Sequence, residues 1–285
     1  MSICKATAPG KVILFGEHAV VYGQPALAVP LLDLRATAIV ESGAPGSGLA
    51  IRAEDLNLHL SLAEAAAHAL ALTARLVLDQ LAVPEPDAQI TIRSDIPIAS
   101  GLGSGAAVSA ALARALAAYL GQPLSDGDLS ALVYEVERFH HGTPSGIDNT
   151  VVCFEQPVYF VRGRAPEILR PSRPFELIVG DTGVASLTRE TVGAVRKAWE
   201  RNRERLELIF AAIGSITNRA RTAIEQGNIA HLGPLMNDNQ ALLRRLKVSS
   251  RELEALIAAA LGAGAAGAKL AGGGGGGSMI ALVEG

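Results

Sequence analysis

The stretch PIASGLGSGAAVSAALARAL, Pro97 to Leu116, sets a Gly-Leu-Gly-Ser-Gly cluster directly against an alanine-rich run of helical composition. The opening turn of a helix leaves backbone N–H groups unpaired and carries the positive end of the helix dipole. Glycines at 101, 103 and 105 let the backbone approach an anion closely, and Ser104 can cap the helix or turn its hydroxyl toward a phosphate or a metal. A glycine-rich loop before an ordinary serine-capped helix has the same pattern, so the rest of the chain must discriminate.

With 285 residues, 49% of them hydrophobic, the chain can build more than one core, and two domains are expected. A formal charge of -3 and the lack of any basic run interleaved with aromatics argue against a nucleic-acid partner. The start, MSICKATAPGK, has no apolar signal-peptide core. The longest uncharged apolar run, Ala255 to Ala268, is too short and too rich in glycine to span a bilayer. No membrane association and a cytoplasmic location are expected. Cys4 and Cys153 sit in no C-x-x-C pair and read as reduced structural thiols, without disulfide or zinc.

Apolar β-prone segments at Ile3 to Ala6, Arg35 to Glu41, Leu49 to Ala53 and Gln89 to Arg93 predict a sheet in the first half. Helical spacing covers Ser61 to Leu81, with Ser61 as a cap and Glu64 three residues on, then Ser104 to Leu120 and Asp126 to His140. VVCF (Val151 to Phe154) and VYFV (Val158 to Val161) read as strands, and the proline-rich RAPEILRPSRPF places a domain boundary near residue 165. The second domain opens with a strand at Phe175 to Asp181, continues through three or four long amphipathic helices, and ends with two strands around Gly272 to Gly277. Those six glycines have only the strand-like SMIALV beyond them. They read as a loop passing close to a ligand or another segment rather than as a linker.

Several chemistries drop out. Gly10-Lys11 is followed by Val12 and lacks the upstream glycine of a Walker A loop. Gly101, Gly103 and Ala106 are followed by the turn GQPLSDGD, not by the acid-tipped strand of a dinucleotide fold. Asp181-Thr182-Gly183 occurs once, whereas an aspartic protease needs two such carboxylates. More informative is ERFHHGTPSGIDN, Glu137 to Asn149, where a helix ends near His141 and Gly142 and a Pro-Ser-Gly turn delivers Asp148. Taken singly, Glu137 fits a surface helix residue and Asp148 an N-cap. Together with an anion site at a helix start they fit phosphoryl transfer, which needs a phosphate cradle, oxygen ligands for a divalent cation, a cation near the transferred group, and a carboxylate to accept the alcohol proton. Lys11 supplies the cation within APGKVILFGEHAVVYG (Ala8 to Gly23), where a Pro-Gly turn projects the lysine and Glu17-His18 follow in a second tight turn.

Three separated motifs, APGKVILFGEHAVVYG, PIASGLGSGAAVSAALARA and KLAGGGGGGS, thus occur in an order that resembles the three signatures of the GHMP kinases, named for galactose, homoserine, mevalonate and phosphomevalonate. The resemblance runs from Lys5 to Val283, and the first motif with HGTPSGIDN is most similar to members acting on mevalonate. It implies an α+β, two-domain fold: a ribosomal protein S5 domain 2-like ATP-binding domain over 1–165 and a ferredoxin-like domain over 166–285. The implied activity is transfer of phosphate from ATP to the 5-hydroxyl of (R)-mevalonate, with Mg²⁺, small-molecule partners only, and room for a homodimer.

The resemblance also implies roles by position. Asp148 would be the catalytic base, with Lys11 polarising the hydroxyl and the γ-phosphate. Pro97, Ser100, Gly101, Leu102, Gly103, Ser104, Gly105, Ala106 and Ala107 would bind ATP, Glu137 and Ser104 the metal, and Lys11, Glu17, His18, Ser145, Asp148 and Thr182 the substrate. Three positions depart from the family pattern: Gly105 where many members carry a second serine, and Ala271 and Gly273 where Thr and Ala are usual. Two alternatives stay open at this point, a sister kinase or decarboxylase acting on another small acid, and a non-catalytic phosphate sensor.

Overall fold

In a computed structural model the chain is described over residues 3–283, apart from 64, 66, 67, 142, 143 and 187. The strands are β1 (Ile3–Phe15), β2 (Ala26–Ser42), β3 (Leu49–Ala53), β4 (Leu58–Ser61), β5 (Ala88–Ser94), β6 (Val158–Phe160), β7 (Glu167–Ile168), β8 (Glu176–Asp181), β9 (Gly267–Leu270) and β10 (Ser278–Val283). The helices are α1 (Ala69–Leu81), α2 (Ser104–Tyr119), α3 (Asp126–His141), α4 (Ile147–Phe154), α5 (Thr188–Arg201), α6 (Arg203–Gln226), α7 (Leu232–Arg245) and α8 (Arg251–Gly262). The mixed α+β architecture divides into two compact units. One comprises Met1–Lys11, Pro30–Pro97 and Gly103–Glu155; the other comprises Val12–Val29, Ile98–Leu102 and Gln156–Gly285. The division is therefore interleaved, with two early segments joining the C-terminal half.

In the first unit β3 pairs antiparallel with β4 and parallel with β5, and β5 pairs antiparallel with the far half of β2, from Ala36↔Ser94 to Ser42↔Ala88. Helix α2 packs against α1, α3 and α4. Its alanines at 106, 107, 110, 111, 113, 115 and 117 are buried, and side chains this small let neighbouring helices come close. In the second unit β10 lies between β8 and β9, antiparallel to both. Leu206, Ile209, Phe210 and Ile213 of α6 share a core with Leu243 of α7, Leu253 and Ile257 of α8, and Met279 of β10. Tyr22 stacks on Phe210 with ring centroids 4.1 Å apart.

Four local expectations are corrected. No turn interrupts Pro9-Gly10: β1 runs continuously from Ile3 to Phe15, and Lys11 is a strand residue. VVCF is not a strand but the last half of α4, where Val151, Val152 and Cys153 are all buried and packing overrides the β preference of valine. Ser61 ends β4 rather than capping a helix; α1 starts eight residues later, with the His68 side chain accepting from the Leu70 N–H. Glu64, expected to complete a capping box, lies outside the described residues, as does Gly142. The cap of α2 is Gly103 in a left-handed conformation, with Ser104 as the first helical residue.

Cys4 and Cys153 are free thiols, and burial pushes Cys153 up to about 12. Among the described residues no helix is long and apolar enough to cross a membrane.

Candidate active site

In the first unit β1, α2, α3 and α4 bring Lys11, Gly103, Gly105, Glu137 and Asp148 together. Lys11 is buried in β1, and its Nζ stands 3.0 Å from Oδ2 of Asp148, whose side chain keeps 31% of its surface exposed. Asp148 sits in the first turn of α4 behind Gly146, which takes φ +93° as the cap. That turn is fixed on every side. Ser145 Oγ accepts from the Ile147 N–H at 3.3 Å, Thr150 Oγ1 donates to the Gly146 carbonyl at 2.7 Å, and Asn149 donates to the Ser130 hydroxyl and carbonyl. Ser145 is thereby placed as a brace for the entry to α4.

Glu137 on α3 is buried, not a surface residue, and desolvation together with the charge of Asp148 pushes its carboxyl up to about 7, against an opposing pull from Lys11. Gly103 shows why no side chain fits there. A Cβ at this position would come within 2.9 Å of Lys11 Cγ and 3.0 Å of its Cε, and φ is +75°. Gly105 leaves open the ground in front of Glu137, since a Cβ there would stand 3.4 Å from Oε1. No side chain caps α2, so its first-turn N–H groups have no side-chain partner from the cap.

In the second unit the residues are organised around the glycine loop between β9 and β10. Ser100, Gly101 and Leu102 of the expected ATP-binding stretch belong here, while Pro97 and residues 103–107 belong to the first unit. The Ala99 carbonyl accepts from the Ser186 N–H at 2.7 Å. The loop glycines answer to close backbone approach: a Cβ at Gly274 would lie 2.0 Å from the Val248 carbonyl oxygen, and one at Gly277 would lie 2.7 Å from that of Ser100. Gly273, a departure from the family pattern, also has a reason, because a Cβ there would stand 2.9 Å from Thr188 Oγ1. Thr182 donates to the Gly277 carbonyl at 2.8 Å and accepts from the Val184 N–H.

His18, at φ +59°, places Nε2 3.0 Å from the Gly273 carbonyl oxygen. A carbonyl only accepts, so Nε2 carries the proton and Nδ1 is an acceptor. Burial pulls this histidine down to about 4 and keeps it neutral. Glu17, expected to grip substrate, is sealed: its side chain and that of Lys269 have no exposed surface, and the two form an ion pair. Asn239 Nδ2 donates to the other Glu17 oxygen at 3.1 Å. Lys269 stood in the third motif without an assigned role, and Asn239, inside an ordinary amphipathic helix, gave no signal at all.

Among the described residues no cluster of three or more His, Cys, Asp or Glu side chains could hold a metal by itself. What the first unit offers instead is one buried carboxylate and one hydroxyl, an all-oxygen set of the kind that Mg²⁺ takes when phosphates complete its shell.

Comparison with known proteins bears on the family and the fold. Residues 61–156 match the family model of the GHMP kinases N-terminal domain, and residues 220–285 match that of the GHMP kinases C-terminal domain. The chain is 38% identical over 302 residues to the mevalonate kinase of Pyrococcus horikoshii, covering 98% of this chain and 88% of that one. It is similar to the crystal structure of the Methanococcus jannaschii mevalonate kinase, with a TM-score of 0.87 and 27% identity over 99% of this chain and 91% of that one. The L. major mevalonate kinase in complex with R-mevalonate aligns with a TM-score of 0.84 and 29% identity, over 99% and 87% of the two chains. On these matches, which span both halves of the sequence, the chain belongs to the GHMP kinase family.

Proposed function

We propose that this chain is an ATP-dependent kinase that phosphorylates the 5-hydroxyl of (R)-mevalonate. The observation that carries the reading is the Lys11–Asp148 pair, 3.0 Å apart, with the lysine buried and the carboxylate partly open. The mevalonate kinases that match nearly the whole chain support the choice of substrate. Asp148 takes the proton of the attacking hydroxyl as its oxygen bonds to the γ-phosphorus and the bond from that phosphorus to the β–γ bridging oxygen breaks, releasing ADP. Lys11 orients the carboxylate and faces the charge of the transferred group. The first-turn N–H groups of α2 and Ser104 hold phosphate oxygens, a role in which little covalent chemistry is asked of the protein and most of the barrier is lowered by position and charge.

Mg²⁺ fits Glu137 and Ser104, and when bound it would neutralise charge on the ATP phosphates. Pro97, Ser100, Gly101, Leu102 and residues 103–107 form the ATP-binding stretch of this reading. His18, Ser145 and Thr182 serve on the substrate side, with Nδ1 of the neutral His18 suited to accept from a substrate hydroxyl. Glu17 acts from within the protein, because its sealed carboxylate has no surface to offer a ligand. The reading also includes an N-terminal ATP-binding part over 1–165 and a C-terminal part over 166–285, a cytoplasmic setting and a homodimer, the last testable by light scattering on the purified protein.

The test is ADP release from ATP and Mg²⁺ with mevalonate, phosphomevalonate, mevalonate diphosphate, homoserine and galactose offered separately. Mevalonate-dependent release is expected. Release with another acceptor alone would keep the phosphate site and overturn the substrate.

A further inference from the structure

Three unfavourable features meet at one place in the second unit. Glu17 and Lys269 form an ion pair with no solvent exposure, although a buried pair gives up the hydration of both charges and is seldom the most stable filling for a core. Asn239, fully buried, spends its amide on Glu17 and leaves Oδ1 without a hydrogen-bond partner among the described residues. One residue after Glu17, His18 holds a positive φ of +59°, which a non-glycine residue adopts only under constraint. Features that lower stability concentrate where position matters more than stability.

What they hold is a junction of two loops. Lys269 is the penultimate residue of β9, just before the glycine loop, and its Nζ donates both to Glu17 and, at 2.6 Å, to the Leu270 carbonyl. Gln240, next to Asn239 on α7, accepts from the Leu270 N–H at 3.0 Å. His18 reaches Gly273 directly. The Glu17–His18 turn is therefore tied to both the strand that leads into the glycine loop and the loop itself, by contacts 252 and 255 residues apart in sequence.

We propose that Glu17, Asn239 and Lys269 form a buried clamp whose function is to position His18 and the glycine loop for substrate, so that the set, taken as a unit, serves substrate affinity more than net fold stability, with Asn239 and Lys269 as positioning residues. The proposal rests on the functional reading above.

Two variants test it: the charge-free double Glu17→Gln/Lys269→Met and the near-isosteric Asn239→Leu, each measured for thermal unfolding, for KM and kcat, and for amide exchange of the peptide over 268–278. Both variants are expected to unfold close to the wild-type temperature, because they remove buried polar groups without leaving an unpaired charge. The mevalonate KM is expected to rise about tenfold or more with a smaller change in kcat, and the glycine-loop amides to exchange faster. Wild-type KM and exchange in either folded variant would overturn the clamp. So would a rise in KM that merely tracks loss of folded protein. If the double variant does not fold, Asn239→Leu decides alone, since it leaves the ion pair intact. A wild type inert toward mevalonate, with loop exchange still faster in the variants, would uphold the clamp and remove the substrate reading.

Discussion

Each unit contains a lysine paired with a carboxylate, and the two pairs are used differently. In the first unit Lys11 is buried while Asp148 keeps about a third of its side chain in water. In the second unit Lys269 and Glu17 are both closed off, and a neighbouring amide fills part of the remaining coordination of the carboxylate. A carboxylate that can meet a substrate can exchange a proton with it, whereas a sealed one can only hold its neighbours. Exposure, not residue type, separates the two roles.

The largest effect expected from this contrast is kinetic. Asp148→Asn should lower kcat by about 10²–10⁴, the range for removal of a general base, with ATP affinity little changed. Turnover within tenfold of wild type would mean that the open pair does no proton chemistry and that the comparison fails on its first side.

Next in size is stability. Lys269→Met leaves Glu17 buried and unpaired and should cost about 3–5 kcal/mol, read by urea unfolding through the fluorescence of Trp199, the one tryptophan, which packs in the same unit. Lys11→Met leaves a carboxylate that water still reaches, and should cost about 1 kcal/mol or less by circular dichroism. Equal losses would show that burial of the carboxylate does not distinguish the pairs.

How much of this was legible in the sequence follows from the range of the interactions. The helix starts at Ser104 and Asp126 and the loop character of Gly272–Gly277 are set by local chemistry, and they stand as read. Lys11, Glu137 and Asp148 could be singled out because each lies in a motif whose chemistry needs it. VVCF was misread because valine pairs suit a strand locally, while the burial that makes them helical comes from elsewhere in the unit. The continuous β1 escaped notice because Pro9-Gly10 normally ends strands, although a proline whose missing N–H falls outside the hydrogen-bond ladder need not. The clamp was invisible for a stronger reason: Glu17, Asn239 and Lys269 are joined only by the folded chain, and an asparagine on a helix has many uses.

The smallest expected effect is also the one that sharpens the contrast most, because one buried titratable group in each unit should act in opposite directions. Glu137 is raised from 4.5 to about 7. Between those values the unfolded chain has released the proton and the folded chain has not, so this residue makes stability fall as pH rises to 7, and its full penalty stays above that. His18 is lowered from 6.5 to about 4. Between those values the unfolded chain binds the proton and the folded chain does not, so this residue makes stability rise with pH up to 6.5. At ~1.4 kcal/mol per pH unit each contribution is at most about 3.5 kcal/mol, and over their shared range the two slopes largely cancel. Unfolding measured from pH 4 to pH 8 therefore uses each variant's difference from wild type. For Glu137→Gln that difference should grow more stabilising from pH 4.5 to 7, and for His18→Asn it should grow more stabilising as pH falls from 6.5 to 4. A flat difference for Glu137→Gln would mean that the carboxyl of the open site is not held protonated by burial. A flat difference for His18→Asn would mean that the histidine beside the sealed pair is as free to protonate as one in water.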